Sequence, residues 1–128
     1  MKKLCLSFAL LLFTSASFAS PCDFSSAEVA VMTDDLQGLR TLDRECQNLT
    51  TLSNVSDETL LHVAAEFNAL DSLDYLLNLN ANPNAQDDIG MTPLFRSQSV
   101  DAAKRLLNAG SKIRLEDRYG RTAFSKVL

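Results

Sequence analysis

The clearest pattern along the chain is a stripe of apolar residues at three-residue spacing, which occurs three times. Its copies are Leu36, Leu39 and Leu42; Leu70, Leu73 and Leu76; and Val100, Ala103 and Leu106. Apolar residues at this spacing share one face of an α-helix, whereas a half-buried strand would alternate apolar and polar positions. The pattern therefore predicts three amphipathic helices that present similar faces to a common core.

The first nineteen residues have the pattern of a cleavable export signal. Lys2 and Lys3 precede the apolar stretch from Leu4 to Phe13, and a small residue, Ala19, lies where a signal peptidase would cut. That stretch is about half of the roughly 20 residues needed to cross a bilayer. We expect residues 1–19 to be removed and the mature chain to be periplasmic, with an extracellular location as the alternative. No later segment is apolar enough for stable membrane insertion.

A second repeated feature is a threonine that begins a similar short segment at Thr59, Thr92 and Thr122, 33 and then 30 residues apart. A period between 20 and 50 residues indicates a solenoid of stacked units. The shorter interval can be located, since Thr59 precedes Leu76 by 17 residues but Thr92 precedes Leu106 by 14. Turns tolerate deletions, so we expect the three missing residues to shorten the turn between two helices.

Local signals fit a helix–turn–helix unit that starts at each threonine. Thr92 can cap a helix that Pro93 opens, because the N–H that proline lacks would be unpaired at that position. Gly110 suits the left-handed conformation that ends many helices, and Asn80 tolerates it in the preceding unit. Residues 82–90 and 112–120 are rich in turn formers and predict extended fingers between the units.

These segments resemble the ankyrin repeat family. Its T-P-L-H-x-A motif is matched by residues 59–64 and 92–97, and its D-x-x-G lead-in by Asp87 to Gly90 and Asp117 to Gly120. The resemblance implies an all-α solenoid of about three helix-turn-helix repeats with β-turn fingers. The repeats are a divergent N-terminal capping repeat (20–53), two further repeats (54–86 and 87–116), and a truncated last repeat (117–128).

The chain departs from the family motif at several positions. Leu60 replaces proline, Asp57 replaces glycine, and Phe95 and Ser125 replace the usual histidine. His62 matches that histidine, which in the family ties down the turn before the helix. We expect His62 to have the same structural role.

The resemblance also implies a partner-binding concave surface, formed by the finger tips and the first helix of each pair. Counting from each motif threonine, the residues that should face the partner are Val55, Ser56, Glu58, Glu66 and Phe67, then Asp88, Ile89 and Met91, and finally Arg118, Tyr119 and Arg121. Phe67, Ile89, Met91 and Tyr119 are large groups flanked by charge, as in interface anchors with a polar rim. The alternative is that some of them pack beneath neighbouring fingers.

Charge is unevenly distributed along the mature chain. Residues 20–90 contain two basic and thirteen acidic residues, net −11, whereas residues 91–128 contain eight basic and three acidic, net +5. Such a gradient either is ordinary solvated surface or orients a charged protein partner.

Two cysteines, Cys22 and Cys46, remain after signal removal, an even number in a chain sent to an oxidising compartment. One disulfide is expected. Free thiols and a metal pair are the alternatives, but the chain has no C-x-x-C motif and one histidine. In a helix pair, the start of the first helix lies beside the end of the second, which would place the two cysteines within bridging distance.

The sequence offers little support for catalysis, cofactors or nucleic-acid binding. It has no G-x-S-x-G, H-E-x-x-H or phosphate-binding glycine loop, and a nucleophile would have to borrow His62 from a repeat motif. Neither a metal site nor a cofactor is expected, and the acidic mature chain argues against nucleic acid.

We therefore expect a non-enzymatic module that binds another protein, as an inhibitor, immunity factor or adaptor. A secreted effector that binds a host protein and a thiol-based redox accessory are the alternatives. The truncated last repeat leaves the face of Val100, Ala103 and Leu106 partly covered, and a partner or a second copy of the chain could complete it.

Overall fold

The computed structural model describes residues 22–124, and in that range the chain forms three helix pairs in succession. Their bounds are α1 Phe24–Met32, α2 Leu36–Glu45, α3 Leu60–Glu66, α4 Leu70–Asn78, α5 Pro93–Arg96 and α6 Val100–Asn108, with a 3₁₀ turn at Leu49–Thr51. The described residues form isolated β-bridges but no strand. The predicted all-α fold is confirmed, whereas the export signal and residues 125–128 of the last unit lie outside the described residues.

The helices form two layers. Helices α1, α3 and α5 pack against one another in the inner layer, and α2, α4 and α6 follow one another in the outer layer. Each stripe contributes to the core between the layers, where Leu39, Leu73, Leu76 and Leu106 are fully buried. Val100 is the exception, because it lies exposed at the start of α6. The three predicted helices are thus the outer layer.

Most helices begin at a side-chain cap. The Thr92 hydroxyl accepts a hydrogen bond from the Phe95 N–H at 3.3 Å, and Pro93 occupies the first helical position, as predicted. Asp23, Asp35 and Ser99 cap α1, α2 and α6 in the same way. At the helix ends, Asn80 and Gly110 adopt positive φ values of 65° and 101°, which confirms the predicted left-handed turns.

The prediction for the three missing residues was wrong. Residues 67–69 join α3 to α4 and residues 97–99 join α5 to α6, so the two turns have equal length, and α5 is instead shorter than α3. Helix α5 stops early because Ser97 has extended backbone, and the Ser97 hydroxyl donates back to the Leu94 carbonyl at 2.7 Å. The Gln98 N–H then donates to the Ala65 carbonyl of α3 at 3.3 Å. The three missing residues therefore shorten α5 by about one helical turn, and the turn from α5 to α6 keeps its length.

The first helix pair carries a disulfide between Cys22 and Cys46, whose Cα atoms are 5.4 Å apart. Cys22 precedes α1 and Cys46 caps the end of α2. The expected antiparallel arrangement therefore brings the two cysteines together. Because Cys46 is buried, the bond lies against the core of the terminal repeat.

Candidate functional site

Three fingers with the same hydrogen bonds project between the helix pairs: residues 54–58, 87–91 and 117–121. In each, the first residue donates its N–H to the carbonyl of the last, at 3.1 Å in Asn54–Glu58, 2.9 Å in Asp87–Met91 and 2.8 Å in Asp117–Arg121. A carboxylate or amide oxygen at the first position then accepts two backbone N–H groups within the finger. Asn and Asp commonly stabilise turns in this way.

The fingers are also bonded to one another. The Asp88 N–H donates to the Ser56 carbonyl at 2.9 Å, and the Arg118 N–H donates to the Ile89 carbonyl at 2.6 Å. Gly90 permits this close stacking, since a Cβ there would lie 2.8 Å from the Asp117 Cα, and its φ is +87°. The three fingers therefore form one continuous edge.

His62 ties the inner layer to this edge. Its ring is fully buried, and Nδ1 accepts the Thr59 N–H at 3.1 Å while Nε2 lies 2.8 Å from the Met91 carbonyl oxygen. Because Nδ1 is an acceptor, Nε2 carries the proton and donates it to Met91. Burial lowers the pKa of His62, although the bond to Met91 acts in the opposite direction. The contacts are those of a structural histidine.

The Arg96 side chain joins acidic groups from two repeats, on the surface formed by the fingers and the inner helices. The Arg96 guanidinium contacts Glu58 at 2.7 Å, Glu66 at 2.9 Å and Asp87 at 2.7 Å. Burial lowers the pKa of Arg96, but its hydrogen bond to Asp87 and its other carboxylate partners leave it raised, so the side chain stays charged. Sequence analysis missed this role, because the family motif leaves the Arg96 position unspecified.

A second cluster lies at the last finger. The Arg121 guanidinium is 5.1 Å from the centre of the Tyr119 ring and 5.6 Å from that of Phe95, and it also pairs with Asp117. A cation stacked on rings keeps its charge while it covers apolar surface. Tyr119 is 66% exposed, so this cluster presents a large ring and a cation together.

The predicted interface residues divide into two groups. Val55, Glu66, Phe67, Asp88, Arg118, Tyr119 and Arg121 are exposed, and Ser56, Glu58, Ile89 and Met91 are half-buried. Met91 packs against the core, and its carbonyl is used by His62. For Met91 the alternative of packing beneath neighbouring groups therefore describes the structure better than an exposed anchor. Nothing in the contacts of the other residues tests their predicted role.

The described residues contain no group of three or more His, Cys, Asp or Glu side chains placed to hold a metal ion. Within residues 22–124, none of the helices combines the length and apolarity that crossing a membrane would require.

Comparisons with known proteins agree with this architecture. Residues 61–99 match the family model described as ankyrin repeats, many copies. The chain is 42% identical over 55 residues to the neurogenic locus notch homolog protein 1 of Mus musculus and of Homo sapiens, over 41% of this chain and 2% of those proteins. It therefore spans about 2% of the length of these relatives.

Ankyrin repeats are typically non-enzymatic and imply a protein-interaction module. The repeat motifs, the stacked helix pairs and these matches support an ankyrin repeat protein, and the family match itself covers residues 61–99.

Proposed function

We propose that the protein is an exported, non-enzymatic module of the periplasm that acts as an inhibitor, immunity factor or adaptor by holding a partner protein on its concave surface. The observation that carries the proposal is the cluster at the last finger. Tyr119 is exposed although it is large, and it lies next to the Arg121 cation, which is held by Asp117. Aromatic and arginine side chains supply most interface hot spots.

The electrostatics of the surface suggest how a partner would be oriented. Glu58 and Glu66 lie towards the first fingers, whereas Arg118 and Arg121 lie in the last one. Arg96 forms ion pairs with Glu58 and Glu66 and so neutralises part of their negative charge. A partner with an acidic patch would therefore place that patch against the last finger and be steered there by long-range attraction.

Two features support an exported location. The first nineteen residues have an export-signal pattern, and Cys22 and Cys46 are joined, as suits an oxidising compartment. The same surface would serve a secreted effector that binds a host protein. A thiol-based redox accessory remains the alternative from a different class, in which a thiolate would attack the sulfur of Cys22, because Cys46 is buried.

Affinity capture from the native host tests the proposal. A true partner should be retained by the wild-type protein and by Tyr119→Phe, which keeps the ring, but released by Tyr119→Ala. Val29→Ala, which alters an exposed apolar residue on α1, is the matched control and should retain the partner. N-terminal sequencing of the periplasmic protein should begin at Ser20. A protein that is retained equally by all four baits, or a chain that keeps its first residues in the cytoplasm, would contradict the proposal.

A further inference from the structure

An apolar groove lies at the C-terminal edge of the described solenoid, away from the concave surface. It encloses about 500 Å³ between α5, α6 and the segment that follows them. Its apolar lining includes Leu94, Val100, Ala103, Leu107, Ile113 and Phe124. Among these, Val100 and Leu107 are exposed on α6, on the face that continues the helical stripe.

Comparison of equivalent positions shows that this edge is built like the buried junctions between repeats. Phe124 lies two residues after its motif threonine, as Leu61 and Leu94 do. Leu61 and Leu94 are 1% and 5% exposed, whereas Phe124 is 52% exposed. Among residues 22–124, a core position is therefore repeated at the edge with a larger apolar side chain that is exposed.

The finger edge is open at the same end. Gly120 has no atom within 4 Å of its Cβ position, whereas the equivalent Gly90 is covered by the next finger. The carbonyls of Ser56 and Ile89 each accept an N–H from the following finger. Within residues 22–124 no backbone N–H donates to the equivalent carbonyl, that of Tyr119.

One outer-layer position shows which charge a helix packed against this edge should carry. Arg40, Asp74 and Lys104 occupy equivalent places in α2, α4 and α6, and the first two contact the next outer helix. Arg40 lies over the Tyr75 ring at 5.3 Å, and Asp74 forms an ion pair with Arg105. Lys104 lines the groove, but among the described residues it has no ion pair. By the same geometry, its complement on a covering helix is a carboxylate.

We propose that this C-terminal edge is a second docking site, which binds an amphipathic helix of a partner protein. That helix would place aliphatic residues on Val100, Leu107 and Phe124 and a carboxylate opposite Lys104. Arg114, on the rim of an adjoining groove, adds a second cation, and Glu116 beside it is the opposing charge. The site is separate from the concave surface, so its partner could bind there together with one held by the fingers.

The test uses the oxidised full chain and synthetic peptides of residues 58–81, which correspond to the α3–α4 pair and have net charge −4. Position 75 of such a peptide would lie opposite Lys104, because Tyr75 lies opposite Arg40 in the fold. A Tyr75→Glu peptide should bind at least threefold more tightly than a Tyr75→Arg peptide, measured by fluorescence anisotropy. The chain variant Lys104→Glu should reverse this preference, since each exposed ion pair changes affinity by up to a few fold.

Variants of exposed residues locate the site without threatening the fold. Val100→Asp should weaken binding of the Glu peptide more than tenfold, whereas Val29→Asp on α1, with similar exposure, should leave it unchanged; circular dichroism checks that both variants are folded. Absence of peptide binding, or binding that ignores both Lys104 and Val100, would overturn the proposal. So would a dimer in light scattering that Val100→Asp dissociates, since a second copy would then be the occupant.

Discussion

The imidazole of His62 donates its Nε2 proton to the carbonyl oxygen of Met91 across 2.8 Å, and this bond connects the start of α3 to the finger of the next repeat. The Thr59 N–H donates to the other ring nitrogen, Nδ1, at 3.1 Å. Both bonds use the neutral imidazole, and a second proton would displace the Thr59 N–H from Nδ1. The inner layer and the finger edge are therefore held together by a neutral imidazole, whose pKa is lowered by burial.

Stability should fall as the pH is lowered from 7.5 to 5. Burial lowers the pKa of folded His62, whereas the unfolded histidine titrates near 6.5. Below pH 6.5 the unfolded chain takes up a proton that the folded chain resists, so the free energy of unfolding decreases until the lowered folded pKa is reached. Urea titrations at pH 5, 6, 7 and 7.5 measure this. His62→Gln should be less stable at pH 7.5 and nearly independent of pH; an unchanged slope in that variant would assign the effect to other groups.

Gly90 and Gly120 provide a matched pair for the contact between fingers. Both have positive φ, so replacement by alanine costs about 1 kcal/mol of unfolding free energy in either case. At Gly90 the new Cβ also meets the backbone of the next finger at 2.8 Å, whereas Gly120 faces open space. Chemical denaturation should show Gly90→Ala to be less stable than Gly120→Ala by at least about 1 kcal/mol. Equal losses would mean that the fingers separate at little cost.

The sequence was most informative where structure depends on nearby residues. Thr92 and Pro93 define the start of α5 because capping involves a few neighbouring groups, and the turn at Gly110 follows from the conformational freedom of glycine. The place of the three missing residues was predicted wrongly, because the spacing from Thr92 to Leu106 counts residues but does not say whether a helix or a turn is shortened. Ser97 ends α5 through its extended backbone and the hydrogen bond from its hydroxyl to the Leu94 carbonyl. The apolar pattern of the sequence does not predict this end.

The candidate site was predicted less completely because its groups meet across repeats. The family motif predicted that Tyr119 and Arg121 face the partner, but the position of Arg121 over Phe95 depends on the stacking of two repeats. Met91 is a large apolar residue, as many interface anchors are, yet it packs against the neighbouring core. Arg96 gathers carboxylates that are 9 to 38 residues away, a relationship that a family motif does not contain.

The disulfide should be the main stabiliser of the first helix pair. Closing the loop between Cys22 and Cys46 contributes about 3 to 4 kcal/mol in the chain-entropy model, which is a large share for a domain of this size. Replacing both cysteines by serine should lower the urea midpoint, and adding reductant to the wild-type protein should have the same effect. Free-thiol labelling of the unfolded, unreduced protein checks the bond. Two reactive thiols under those conditions would contradict it.

Arg96 should contribute more to stability than Arg105, although each arginine pairs with carboxylates. Arg96 is largely buried and its loss leaves Glu58, Glu66 and Asp87 close together without a cation, so Arg96→Met should cost about 1 to 2 kcal/mol of unfolding free energy. The Arg105 pair with Asp74 is exposed, and Arg105→Met should cost less than about 1 kcal/mol. Denaturation of both variants tests the order. Adding Glu58→Gln to Arg96→Met should restore part of the loss, and no restoration would show that charge crowding is not the cause.

Association and dissociation should depend on different residues of the last finger once a partner has been captured. Arg118 and Arg121 are exposed cations, so Arg118→Gln with Arg121→Gln should slow association and flatten its dependence on salt. Glutamine is preferable to glutamate because Arg121 pairs with Asp117, and a second carboxylate there would disturb the finger itself. Tyr119→Ala should instead speed dissociation at a cost of roughly 2 kcal/mol, with Tyr119→Phe close to wild type. Surface plasmon resonance at several salt concentrations separates the two rate constants. If both stay unchanged in folded variants, the partner does not bind at this finger.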